Sequence, residues 1–196
     1  MSGPKPPQNL VSRQPELITL AAGSTFYRFY TAAFDPVYFD RSTLGRLNAP
    51  DASYGVLYTA AAREGAFAET FLREPGRSLI DMGLLQKKAH VVVENTAPLK
   101  LAKLAGRGLA ILGATAEVLH SGLPYETAQY WSKALHDHPE KLDGIAYYAR
   151  HDDEQLCYAL FDHCAEHLTI QKRQEDLDKD WFWRIANHYN LGIAPY

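Results

Sequence analysis

Cysteine is scarce in this 196-residue chain, with only Cys157 and Cys164 present. Two thiols cannot build a disulfide framework, and their number fits a reducing cytoplasm. Cys157 falls inside an apolar, strand-like segment, where a buried thiol is inert rather than nucleophilic. Long apolar runs are missing too: nothing approaches the roughly 18 residues that span a bilayer. The opening MSGPKPPQNL is proline-rich without an apolar signal core, so residues 1–19 read as a flexible arm and the chain as cytoplasmic. Positive charge is not in excess. A formal net charge of -3 argues against direct nucleic-acid binding, which wants a basic face. It leaves room for a small anion held by two or three local arginines.

Several catalytic signatures are also absent. The chain holds no GxSxG elbow, no GxxxxGK[ST] loop and no strand–GxGxxG–helix unit. Eight histidines invite a metal, and His163 and His167 stand four apart while His136 and His138 flank Asp137. No third ligand falls at a recognisable spacing, so no metal site is expected.

What is present is ordinary globular material, 46% hydrophobic and 22% charged, enough for one domain with a real core. Residues 24–30 alternate as a strand, with Phe26, Arg28 and Tyr30 on one face. Residues 34–55 read as a long loop, punctuated by Pro36, Gly45, Pro50 and Gly55, and loops of that length are often binding loops. VLYTA (56–60) is strand-like, and residues 60–74 form a helix by propensity, stopped by Pro75 and Gly76. Strands are expected at 90–95, 98–104, 144–149, 156–162 and 167–172. Helices are expected at 124–138 and 175–190, the latter with Trp181, Ile185 and His188 near helical spacing. Residues 107–113 fit either a strand or a helical turn. Strands and helices mix without strict alternation, which predicts an α+β fold in a single domain.

Four residues within this frame are candidates for chemistry. Arg28 sits among aromatic side chains, where a guanidinium either stacks on rings or meets an anion. Tyr58 on its strand fits core as readily as function, and Arg46 in its loop fits solvent as readily as a ligand. Glu69 stands four residues before Arg73, the spacing of an ordinary helical ion pair. Its own face also carries Ala62 and Ala66, small residues that allow something bulky to approach.

Read in order, these segments resemble the RES-domain family, named for an arginine, a glutamate and a serine. FYRFY carries the early arginine, Arg28. GRLN (45–48) is similar to the family's Gly-Arg-aromatic-Asn loop, with Leu47 at the aromatic place. GVLYTAAAREGAFAET (55–70), TAQYWSKAL (127–135) and LDGIAYYARHDDEQLCYALFD (142–162) follow in the family's order. The resemblance implies an ADP-ribosyltransferase-like α+β domain over residues 20–196, with a mixed sheet and flanking helices. It implies a toxin of a toxin–antitoxin pair that breaks the nicotinamide–ribose bond of NAD⁺, with water or inorganic phosphate as acceptor and no further cofactor. Arg28, Tyr58 and Glu69 match the family's functional positions, with Arg46 and Asn48 beside the substrate. Arginines would hold the pyrophosphate, Tyr58 the nicotinamide or ribose, and Glu69 the reacting ribose carbon. Ala149 occupies the family's serine position, so a catalytically weak nucleotide-binding relative stays open. A transferase acting on a macromolecule stays open as well. The implied partner is a DNA-binding, Xre-type antitoxin, as a hetero-oligomer or beside a homo-oligomer.

Overall fold

A computed structural model describes residues 3–74, 76 and 78–194. Its β-branched and aromatic segments become strands, because such side chains suit a pleated, half-buried surface. The strands are β1 (Leu17–Leu20), β2 (Thr25–Thr31), β3 (Val56–Ala60), β4 (Leu79–Ile80), β5 (Lys88–Asn95), β6 (Leu99–Lys103), β7 (Gly144–Ala149), β8 (Asp152–Phe161), β9 (Leu168–Gln174) and β10 (Gly192–Ile193). The helices are α1 (Arg63–Phe71), α2 (Met82–Lys87), α3 (Arg107–Leu112), α4 (Glu117–His120), α5 (Glu126–His136) and α6 (Asp180–His188). Every expected strand and helix is present, with ends displaced by a few residues. The ambiguous segment 107–113 is α3, stopped by Gly113 at φ 82°, the left-handed conformation that favours glycine. The short elements β1, β4, β10, α2 and α4 were not among the segments expected from the sequence.

Eight strands form one mixed sheet in the order β1-β6-β7-β8-β3-β2-β5-β9. All neighbours run antiparallel except β6 and β7, which are parallel and are joined through α3, α4 and α5. That parallel pair is what makes the sheet mixed, since a parallel connection needs a crossover long enough to hold helices. One core contains Phe67, Trp131, Phe161 and Phe182 and lies under α1, α5 and α6. A second contains Phe26, Tyr30, Leu57, Leu101 and Tyr158 from strands of both halves of the sheet. β4 and β10 pair separately, in parallel.

Two expectations about the chain ends need correction. The proline-rich start is seated rather than free: Leu10 is buried, and Trp131 Nε1 donates to the Pro4 carbonyl at 2.7 Å. A buried indole N–H needs an acceptor, and the arm's backbone supplies it. The boundary at residue 19 falls inside β1, which pairs with β6. In α6 the inward residues are Phe182, Ile185 and Ala186, while His188 is exposed.

Candidate active site

The sheet is incomplete at one place. β2 pairs with β5 along its whole length, from Thr25↔Glu94 to Thr31↔Lys88. With β3 it pairs at a single position, Tyr27↔Ala60. Beyond that contact lies a cleft of about 650 Å³, walled by Tyr27–Thr31 of β2 and Tyr58–Ala60 of β3. Arg28 reaches across it, and its Nη1 donates to the Tyr58 carbonyl at 3.1 Å, replacing a lost ladder bond. Its Nε is buried with no hydrogen-bond partner. Burial lowers the Arg28 pKa to about 10, opposed by Asp40 and Tyr58, so the group stays cationic at neutral pH. A buried guanidinium with an unused donor is suited to an anion.

The second arginine is delivered by a loop braced from behind. Asn48 Nδ2 donates to Asp40 Oδ2 at 2.9 Å and to the Ser42 carbonyl at 2.7 Å. Its Oδ1 accepts from the Tyr58 hydroxyl at 2.9 Å, and that hydroxyl accepts from Leu47 N at 2.8 Å. From α5, Gln129 Nε2 donates to the Thr43 and Gly45 carbonyls, and Ser132 Oγ to the Leu47 carbonyl. Gly45 is required by this crowding: a Cβ there would stand 2.3 Å from Asn48 Oδ1 and 2.8 Å from the Tyr58 hydroxyl. The bracing presents Arg46 to the cleft, over the Tyr125 ring at 5.0 Å, with its Nε buried and unpartnered. The Tyr58 side chain lines the cleft while its hydroxyl faces the loop. Asn48 is buried and does not line the cleft; its hydrogen bonds hold the loop that carries Arg46.

Glu69 forms the other end. α1 lies close on the sheet because Gly65 carries no Cβ; one would sit 3.0 Å from the Ala60 Cβ. One turn later the Glu69 carboxylate accepts from Arg150 N (3.2 Å to Oε1) and from the Tyr147 hydroxyl (3.5 Å to Oε2). The expected ion pair with Arg73 takes a different form. Arg73 Nε donates to the Glu69 carbonyl at 2.7 Å, one of the orphan acceptors of a helix's last turn. Tyr147 is buried, and burial with the nearby Glu69 charge pushes its phenol well above the ordinary range, so it remains a donor. His151 is lowered by burial and by Arg150, and is neutral at pH 7.

The structure thus gathers Arg28, Arg46, Tyr58 and Glu69 around one cleft. Ala149 is fully buried in the core and does not line it. Tyr125, Tyr147, Arg150 and His151 do, and of these sequence reasoning missed Tyr125, Arg150 and His151. Tyr147, Arg150 and His151 lie in the stretch YYARHDD, and strand alternation puts Tyr147 on the same face as Ala149. Cys157 is buried, with its thiol raised far above the usual range by that burial. His163 pairs with Asp143 (3.3 Å). Among the described residues no helix is long and apolar enough to cross a membrane.

The fold and site define a mixed α+β domain whose sheet opens into a cleft with arginines on its walls and a carboxylate at its end. The family model of the RES domain matches residues 22–180, and the chain belongs to that family. A relative named "Probable toxin y4kH", from Sinorhizobium fredii (strain NBRC 101917 / NGR234), is 31% identical over 116 residues, 59% of this chain and 90% of the relative. The family match ends at Asp180, the first residue of α6.

Proposed function

We propose that this RES-domain protein is the toxin of a toxin–antitoxin pair and acts by cleaving the nicotinamide–ribose bond of NAD⁺. The name of the Sinorhizobium relative supports the first part. One observation carries the second: Arg28 and Arg46 both line the cleft that ends at Glu69, and each has a buried Nε with no hydrogen-bond partner. Two guanidiniums suit a pyrophosphate, which offers oxygens in the fork geometry they match. Glu69 then faces the ribose carbon, where positive charge develops as nicotinamide leaves, and a fixed carboxylate stabilises that charge. Flat rings of Tyr58 and Tyr125 suit the planar parts of the substrate.

The antitoxin partner is read from the rim. Phe34, Tyr38 and Leu44 are 67%, 53% and 80% exposed around the cleft mouth, an apolar border suited to a protein lid. An Xre-type DNA-binding protein is the partner class proposed. A second reading, nucleotide binding without turnover, draws on Ala149, whose methyl group offers no hydrogen bond.

Release of nicotinamide from NAD⁺, followed with and without inorganic phosphate, tests the proposal. Phosphate-dependent release defines a phosphorylase, and phosphate-independent release a glycohydrolase. The Glu69→Gln protein is expected to lose at least about 100-fold in rate while retaining its fold. Binding of NAD⁺ without release in either buffer would select the second reading.

A further inference from the structure

The turn between β7 and β8 consists of two residues, Arg150 and His151, closed by the pair Ala149↔Asp152. It places two donors from one short hairpin against the two oxygens of Glu69. Arg150 N points at Oε1 and the Tyr147 hydroxyl at Oε2. Tyr147, Ile145 and Ala149 share the face of β7 that packs on the α1 side, whereas Ala146 lies in the opposite core. Tyr148 therefore points away, and Ala149 carries no oxygen. The phenol of Tyr147 is the hydroxyl this strand offers to the carboxylate.

We infer that Tyr147 is a positioning residue, forming with the Arg150 N–H a two-point clamp that fixes the Glu69 carboxylate for the reaction; this rests on the reading of NAD⁺ as substrate. A glutamate on a helix surface has three rotatable bonds. Two donors, one per oxygen, select one rotamer and one orientation of the carboxylate plane. The 3.5 Å separation is long for an O–H···O contact, as catalytic hydrogen bonds are before substrate closes the site. Other groups also face Glu69: His120 of α4, His151 of the turn, Cys157 of β8 and Tyr58 of β3. The groups whose hydrogen bonds to the carboxylate the structure shows are instead Tyr147 and Arg150.

The test is Tyr147→Phe, which keeps the buried ring and deletes the hydroxyl. Two readouts are taken on the full chain. The first is steady-state nicotinamide release across pH, and the second is solvent exchange of the Arg150 amide by NMR. A clamp predicts a fall in kcat of about 10- to 100-fold with KM within about twofold, because binding is left to the arginines. It also predicts faster exchange at Arg150, since loosening one oxygen of Glu69 loosens the other. Full activity in Tyr147→Phe overturns the proposal whatever the amide does. A parent protein that releases no nicotinamide would sink the proposed substrate instead, and the amide then decides. Faster exchange upholds the clamp, and unchanged exchange removes it.

Discussion

A single asparagine shows how the site depends on residues outside the cleft lining. Asn48 satisfies Asp40, the Ser42 carbonyl and the Tyr58 hydroxyl at once, inside a loop with no regular hydrogen-bond ladder. Removing it strands buried polar partners, which costs about 1–3 kcal/mol. Asn48→Ala is therefore expected to lower the unfolding free energy, read by urea, by that amount and to raise KM for NAD⁺ as Arg46 loses its backing. Its effect on kcat should be smaller, because Glu69 is held from β7. A variant with unchanged KM would show that the loop positions Arg46 without Asn48. Arg28 was legible in the sequence by its aromatic surroundings, whereas Arg46 and Glu69 were singled out only through the family resemblance. The role of Asn48 was not legible, since its three partners lie at different sequence distances and no local pattern encodes them.

On the scale of elements, the packing of α6 on β5 makes stability depend on pH. His90 of β5 is buried among Tyr27, Phe29 and Trp181, with ring centroids 6.0, 5.1 and 5.0 Å away. Arg63 lies over Tyr27 and Trp181, adding a cation to the same corner. Burial first, then Arg63 and Lys172, lowers the His90 pKa from 6.5 to about 4. A base whose folded pKa is depressed favours the unfolded chain as protons become available. Stability is therefore full above pH 6.5 and falls as pH drops toward 4, by about 2 kcal/mol at pH 5. His163 works in the opposite sense. Its bond to Asp143 raises its pKa, so its contribution is present below 6.5 and is lost as pH rises through the raised value. His90→Phe keeps a ring in the stack and removes the titration. It should make unfolding free energy by urea much flatter between pH 7 and pH 5 than in the parent. An equal acid loss in both proteins would place the titrating group elsewhere. None of the ring partners of His90 could be read from sequence, because HVVVEN looks like any buried strand and Trp181 lies 91 positions away.

At the scale of the whole molecule, local segments and the mixed α+β class were legible in the sequence, while the strand order was not. Alternation marks a strand but does not say which strands become neighbours, and the order β8-β3-β2-β5 joins segments distant in sequence. The cleft follows from that assembly, since it opens where β2 and β3 pair at one position only. Nothing within TFYRFYT announces that one of its edges will be left for a ligand. The chain's start was misread for the same reason. Proline and polarity suggested a free arm, yet Leu10 is 3% exposed and its carbonyl lies 3.3 Å from His138 Nε2, beside the C-terminal end of α5. α5 also carries Gln129 and Ser132, which brace the Arg46 loop, so the seated start supports the cleft from behind. Leu10→Ala decides between the two views by urea unfolding. A free arm predicts no change in midpoint, whereas a leucine built into the core predicts a loss of about 2–5 kcal/mol. The second outcome is expected, with KM for NAD⁺ rising as α5 loosens, because burial and not composition sets what a side chain contributes.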